Sequence, residues 1–222
     1  MWVEPERPST ASNGTSEAVA VSQTAELVVL LSSSGKPIGT ADKATIHGPN
    51  TPYHLAFSCY AFNDRNELLV TRRAATKLTW PGVWTNSCCG HPQPDEAIDA
   101  AVRRRMQTEL GMAPVDLRLA LPNFSYRAEA SGFVEHELCP VFLCRVFDHP
   151  RPDPREVDAW AWWSWDRFVS EASAPPTTSP RDISPWARLQ VEQLVAGGHV
   201  DARGHRSPQL GMSPQRTSVG QS

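Results

Sequence analysis

The residues best suited to chemistry lie in one short stretch, residues 80–91, which reads WPGVWTNSCCGH. A thiol, a glycine and an imidazole follow one another there, at Cys89, Gly90 and His91. A thiol can exchange protons or attack as a nucleophile, and imidazole is a common metal ligand. Because glycine has no Cβ, we expect a tight turn at Gly90 that aims Cys89 and His91 into one cleft. On its own, Cys-Gly-His is more typical of a strand end with an inert cysteine, so the interpretation depends on the rest of the chain.

Two carboxylates form the second candidate group. They lie in the run VEHELCPVFL, residues 134–143, which we predict as a single strand. Side chains alternate along a strand, so Glu135 and Glu137 share one face, about 6–7 Å apart, and His136 points the other way. Buried carboxylates are costly unless a cation or protons neutralise them. The pattern therefore indicates either a cation site or an exposed edge strand.

A group of basic residues likewise has two interpretations. Arg72, Arg73 and Lys77 lie at the end of a predicted strand, close in sequence to Cys89. Such a group is either a solvated strand end or a site for an anion.

Hydrophobic patterning indicates the elements that hold these groups. Apolar runs and alternation predict strands at 27–31, 54–62, 67–73, 83–85, 117–120 and 123–127. Apolar residues recur every fourth position from Ile98 to Leu110, which predicts an amphipathic helix ending at Gly111. A last helix is predicted over 185–195.

The 222 residues are enough for one sizeable core and carry a net charge of −3. We predict one domain over residues 24–198, with disordered tails at 1–23 and 199–222, where Pro, Ser and Gly replace apolar periodicity. This net charge does not indicate a basic surface for nucleic acid, and the chain has no apolar run of about 18 residues that could span a membrane. We therefore expect neither nucleic acid nor a membrane as a partner. The five cysteines lack the spacing of a disulfide framework, so we expect reduced thiols and a cytoplasmic protein.

A longer pattern begins at Gly90. The chain resembles a Nudix box in part, through these positions: Gly90, Glu96, Arg104, Glu109 and Gly111. The helix that carries the acidic residues of Nudix hydrolases reads RRMQTE at 104–109, so most carboxylates for diphosphate hydrolysis are missing. The resemblance implies an α/β (α+β) Nudix-like fold, a single domain with a mixed β-sheet sandwich flanked by helices, without the hydrolytic chemistry.

Over residues 25–190 the chain resembles the type 1 isopentenyl-diphosphate Δ-isomerases. The motifs that carry the resemblance are TWPGVWTNSCCGHP at 79–92 and YRAEASGFVEHELCP at 126–140, with His47 and His54 seven residues apart. Family membership implies the interconversion of isopentenyl diphosphate and dimethylallyl diphosphate in isoprenoid biosynthesis.

The resemblance also implies the ligands of the site. One divalent metal is expected on His47, His54, His91, Glu135 and Glu137. These donors suit Mn²⁺ or Mg²⁺, and Zn²⁺ also accepts them. A second Mg²⁺, carried by the substrate diphosphate, is expected at Glu109, and the diphosphate contacts map onto Lys43, Arg73, Lys77 and Arg105.

For catalysis the resemblance implies an acid–base pair on opposite faces of the substrate. Glu137, assisted by Tyr126, protonates C4, and Cys89 removes a proton from C2, with Trp186 facing the tertiary carbocation. A thiol close to cationic groups is expected to be biased toward thiolate. A Nudix diphosphohydrolase and a noncatalytic, metal-stabilised binding module remain as alternatives. The expected partner is the small diphosphate substrate, bound by a monomer or weak homodimer.

Overall fold

A computed structural model describes residues 26–175 and 182–200. The elements follow in this order: β1 Leu27–Leu31, β2 Pro37–Asp42, α1 Lys43–Ile46, β3 His54–Leu55, β4 Phe57–Phe62, β5 Leu68–Arg73, β6 Trp84–Thr85, β7 Cys88–Gly90, α2 Ile98–Leu110, β8 Val115–Leu121, β9 Ser125–Ala130, β10 Phe133–Leu138, β11 Val141–Arg145, β12 Val157–Trp163, α3 Trp165–Ser173 and α4 Pro185–Ala196.

The strands form two mixed sheets. One has five strands in the order β2-β1-β3-β10-β9, and the other follows the path β12-β5-β4-β11-β8, with β6 beside β5 and β7 beside β4. Together with the flanking helices they make the mixed α/β Nudix-like architecture that the sequence predicted. Strand β4 is buried along its whole length because both faces of its sheet are covered.

Alternation along β4 divides the core into two clusters. Phe57 and Cys59 pack with the apolar face of α2, whereas Tyr60 and Phe62 pack with α3 and α4 on the opposite side. The helix predicted from Ile98 to Leu110 is confirmed, and Gly111 ends it in the left-handed conformation at φ 64°.

The prediction of one strand over 134–143 is wrong. Strand β10 ends at Leu138 and β11 begins at Val141, and the two strands belong to different sheets. Proline has no backbone N–H for a strand ladder, so Pro140 lies in the crossing between the sheets.

The sequence analysis also missed helix α3. The Ser164 hydroxyl caps its first turn by accepting from the backbone N–H of Arg167 at 3.3 Å. Trp165, Phe168 and Ala172 then face the core at helical spacing.

The predicted N-terminal tail, residues 1–23, lies outside the described residues. So does the predicted C-terminal tail except for its first two residues, and the second of these, Val200, is buried in the core. No helix among the described residues combines the length and the hydropathy needed to cross a bilayer.

Candidate active site

Strand alternation, and not a turn, brings the thiol and the imidazole to one face. Cys89 lies in β7, opposite Ser58 of β4, and His91 follows two residues later on the same side. The predicted tight turn at Gly90 is therefore wrong. The glycine is needed for packing, since a Cβ there would lie 3.0 Å from Cγ of Arg105 and 3.1 Å from Cζ of Phe57.

Three imidazoles and a carboxylate converge beside β7. One ligand atom from each of His47, His54, His91 and Glu137 lies within 4.8 Å of all the others. Nε2 of His54 is 3.5 Å, and Nε2 of His91 is 3.3 Å, from Oε1 of Glu137. Glu135 lies next to this group, with Oε2 3.1 Å from Nε2 of His47.

The electrostatics of the group centre on Glu137. Burial by itself raises the pKa of this carboxyl, but His54 and His91 hold it well below the usual range. Burial lowers the pKa of His91, whereas His54, also buried, has its pKa raised through its contact with Glu137. The carboxylate is thus ionised at neutral pH and faces imidazole nitrogens.

Neighbouring groups orient the imidazoles. Nδ1–H of His54 donates to the Pro52 carbonyl at 2.9 Å, so Nε2 is the ring nitrogen that faces Oε1 of Glu137 and the candidate metal position. Arg104, held by Glu96 at 2.7 Å, donates to the His91 carbonyl at 3.2 Å. Arginine and glutamate of the partial Nudix box therefore position the backbone of a candidate ligand.

This arrangement fits a divalent cation. Among the described residues, buried Nε2 atoms of His47, His54 and His91, and Oε2 of Glu135, have no hydrogen-bond partner. Orphaned buried polar atoms are costly, and a cation shared by imidazole and carboxylate donors would satisfy them together. We identify the group as a candidate divalent metal centre.

The Cys89 thiol lies beside this centre and is partly buried. It donates to Oδ1 of Asn86 at 3.2 Å and lies 3.4 Å from Oγ of Ser58. Burial raises the pKa of Cys89 to about 11, which outweighs the nearby Arg73 guanidinium. The expected bias toward thiolate is therefore wrong for this state of the site, and the thiol is neutral at pH 7.

Two aromatic side chains close the apolar part of the site. Tyr126 lies directly opposite Glu137 in the pairing of β9 with β10, and burial raises its pKa well above the usual value. The Trp186 ring, brought by α4, lies 6.1 Å from the Tyr126 ring and 5.6 Å from the Trp80 ring. Only 3% of Trp186 is exposed, so its ring forms part of an apolar wall.

The basic residues predicted to hold an anion adjoin this apolar wall. Arg73 donates to the Thr79 carbonyl at 2.9 and 3.1 Å, and its guanidinium lies over Trp186 at 5.4 Å. Lys43 lies 2.9 Å from Glu26, and Lys77 pairs with Glu156.

Arg105 joins these pairs into a network. It forms an ion pair with Glu109, one turn away on α2, and its Nη2 lies 3.5 Å from Oε1 of Glu156. Burial raises the pKa of Glu109, partly offset by the charge of Arg105. Arg72, which precedes Arg73 and so faces the other side of β5, lies 3.9 Å from Asp158 and does not line the site.

These groups surround one cavity of about 320 Å³. Apart from Arg72, and from His54, which is fully buried in the metal group, all predicted site residues line it: Lys43, His47, Arg73, Lys77, Cys89, His91, Arg105, Glu109, Tyr126, Glu135, Glu137 and Trp186. The structure therefore brings the predicted site residues together and leaves Arg72 outside.

Sequence reasoning missed several polar residues that contact this set, among them Glu26, Ser58, Asn86 and Glu156. Asn86 lies inside the motif at 79–92, and Ser58 is the one serine in a strand that otherwise holds aromatic residues, cysteine and alanine, so both left a signal. Nothing local in the sequence marks Glu26 or Glu156.

Comparisons with known proteins agree with this architecture. The NUDIX domain model matches residues 52–187. Two solved structures share the fold. DR0079 from Deinococcus radiodurans has a TM-score of 0.58 and 16% identity, over 76% of this chain and 98% of that one. A MutT protein from Methanosarcina mazei Go1 has a TM-score of 0.52 and 20% identity, over 66% of this chain and 96% of that one. The chain belongs to the NUDIX domain family.

Curated relatives define its place in that family. The isopentenyl-diphosphate Delta-isomerase of Saccharopolyspora erythraea is 54% identical over 174 residues, which cover 78% of this chain and 88% of the relative. The enzyme of Frankia alni is 51% identical, over 78% of this chain and 86% of the relative. That of Agromyces mediolanus is 50% identical, over 83% of this chain and 89% of the relative. The chain is a member of the isopentenyl-diphosphate Delta-isomerases, as its motifs indicated.

Proposed function

We propose that this enzyme interconverts isopentenyl diphosphate and dimethylallyl diphosphate, the step that supplies both five-carbon units for isoprenoid biosynthesis. The observation that carries the proposal is a cavity lined by two unlike sets of residues. Cys89, Tyr126, Glu137 and Trp186 form one set, which we call the alkyl end, and the basic network forms the other. A short hydrocarbon joined to a diphosphate matches both sets.

The alkyl end contains an acid–base pair. Moving a double bond by one carbon requires a proton added at C4 and another removed at C2. In the direction that forms dimethylallyl diphosphate, Glu137 with Tyr126 supplies the C4 proton, and Cys89 takes the C2 proton. In the reverse direction the roles exchange, so that the Cys89 thiol gives the proton and the Glu137 carboxylate takes it.

The tertiary carbocation between the two proton transfers needs an electron-rich surface and no water. Trp186 offers the face of a buried indole ring for this purpose. Tyr126 lies next to that ring and across the strand pair from Glu137, so its hydroxyl can assist the carboxyl group.

Lys43, Arg73, Lys77 and Arg105 bind the diphosphate oxygens, and Arg105 supplies positive charge where a hydrolase has an acidic residue. Glu109 would hold the Mg²⁺ that accompanies the diphosphate. His47, His54, His91, Glu135 and Glu137 would hold a resident Mn²⁺ or Mg²⁺, with Zn²⁺ as the alternative. A cation there would supply positive charge that keeps Glu137 oriented and tunes its acidity.

Incubation with isopentenyl diphosphate and Mg²⁺ tests the proposal. An acid-labile allylic diphosphate is the expected product, whereas released phosphate or a monophosphate would indicate the Nudix hydrolase. Binding without conversion would indicate a metal-stabilised binding module. Metal analysis of the purified protein identifies the ion in the histidine site.

We also propose a cytoplasmic enzyme that works as a monomer or weak homodimer. Its five cysteines are all unpaired, which suits a reducing compartment. Cell fractionation and sedimentation velocity test the two statements separately.

A further inference from the structure

Asn86 connects two groups of the alkyl end that are far apart in sequence. Its side-chain oxygen accepts from the Cys89 thiol at 3.2 Å and from Nε1–H of Trp186 at 3.3 Å. These two donors come from β7 and α4, and the adjacent Thr85 hydroxyl donates to the same oxygen at 2.9 Å.

The orientation of the Asn86 amide is determined by its other half. Nδ2 donates to the carbonyls of Cys59 and Cys88, both at 3.0 Å. Both partners only accept, so the amide cannot be flipped without losing two hydrogen bonds. The residue is fully buried, which makes those losses costly, and Oδ1 must therefore face Cys89 and Trp186.

A second chain of hydrogen bonds reaches the thiol from the opposite side. Tyr60 donates to Oε1 of Gln190 at 2.9 Å, and Nε2 of Gln190 donates to Oγ of Ser58 at 2.9 Å. The single thiol proton goes to Asn86, so the hydroxyl of Ser58 is the donor in its 3.4 Å contact with Cys89. The sulfur is held between one acceptor and one donor.

We propose that Asn86 is a positioning residue for the isomerisation. It fixes the positions of the Cys89 sulfur and the Trp186 ring relative to each other around the substrate. This rests on the proposed acid–base role of Cys89. A carbonyl oxygen suits the task because both groups that it orients are N–H or S–H donors. Displacing a reacting group by about 1 Å can cost about 10² in rate, so a rigid, buried acceptor has a large effect.

Two substitutions of similar size separate positioning from packing. Asn86→Asp keeps an oxygen toward Cys89 and Trp186 but loses the N–H donors to Cys59 and Cys88. Asn86→Leu loses the acceptor oxygen as well as the N–H donors. If the oxygen positions the thiol, Asn86→Leu lowers kcat about 10²-fold with KM nearly unchanged, and Asn86→Asp is about tenfold more active than Asn86→Leu. Calorimetry should give unchanged affinity for inorganic pyrophosphate with Mg²⁺ in both variants.

Asn63 provides the matched control. It is a buried asparagine that holds the β4–β5 turn through Arg65 and Glu67, away from the cavity. Asn63→Leu should lower the melting temperature and leave kcat unchanged. Trp186→Phe tests the other end of the link, because it keeps an aromatic ring and removes only the N–H donor to Asn86.

Equal losses in Asn86→Asp and Asn86→Leu, with matching losses of stability and pyrophosphate affinity, would show that Asn86 only holds the backbone. Full activity of Asn86→Leu alongside an inactive Cys89→Ala would overturn this inference and leave the proposed function intact. An active Cys89→Ala would overturn the acid–base role on which the inference rests.

Discussion

Replacing Lys77 by alanine should weaken diphosphate binding more than replacing Arg73, because the two residues leave different groups behind. Lys77 is paired with the Glu156 carboxylate, whereas Arg73 donates to the neutral carbonyl and hydroxyl of Thr79. Removing either cation costs a charge-assisted contact with the diphosphate, about 1.5–3 kcal/mol.

Removing Lys77 also takes the closer cation from Glu156, because its remaining partner, Arg105, lies 3.5 Å away and is shared with Glu109. Two unit charges about 7 Å apart repel by roughly 2.4 kcal/mol at an effective dielectric constant of about 20. The loss for Lys77→Ala is then about 4–5 kcal/mol, or roughly a thousandfold in affinity, against roughly ten- to a hundredfold for Arg73→Ala. Adding Glu156→Gln to Lys77→Ala should restore about fiftyfold, since only the repulsion is relieved.

Calorimetry with Mg²⁺-pyrophosphate and the KM for isopentenyl diphosphate measure the effect in two ways. Equal losses for Lys77→Ala and Arg73→Ala, with no recovery in the double variant, would refute this account of the ion-pair network. Lower affinity together with a lower melting temperature in Lys77→Ala would point to a folding defect instead.

Three further outcomes are expected. Cys89→Ala should abolish isomerisation with fold and metal content retained, whereas Cys88→Ala should be mild; similar activity losses would remove the thiol from its assigned role. Since the Cys89 pKa is raised to about 11, iodoacetamide should alkylate it slowly at pH 7 and about tenfold faster per pH unit up to that value; mass spectrometry that shows rapid labelling at pH 7 contradicts a neutral thiol. Glu135→Gln should bind metal more weakly and regain activity with excess Mn²⁺ or Mg²⁺, whereas Glu137→Gln should lose about 10²–10⁴ in rate and not be rescued; deuterium exchange at the wild-type rate in Glu137→Gln with saturating metal would leave Glu137 as a ligand only.

Local sequence patterns were sufficient wherever a short segment carries its own physical signal. The i+4 spacing from Ile98 to Leu110 and the following Gly111 predicted helix α2 and its left-handed end. The apolar run at 27–31 predicted β1 with correct bounds. Alternation also placed Glu135 and Glu137 on one face of β10, although the strand proved shorter than predicted.

Patterns failed where the partner of a segment is distant. Residues 134–143 read as one apolar strand because nothing local shows that the chain changes sheets at Pro140. Gly90 suggested a turn, but the glycine is explained by the close packing of Arg105 and Phe57 against it. No local pattern in the sequence contains that contact. The proximity of cations suggested a thiolate at Cys89, and burial decided the opposite.

The sequence alone determined the family and the donor types, since thiol, imidazole, carboxylate and basic side chains are chemical identities that folding does not change. Tertiary structure decided which of them meet and in what charge state. Asn86 meets Trp186 across 100 residues, and Lys77 meets Glu156 across 79. Such contacts depend on how the sheets and helices pack, and burial, which sets the pKa values, exists only once that packing is complete.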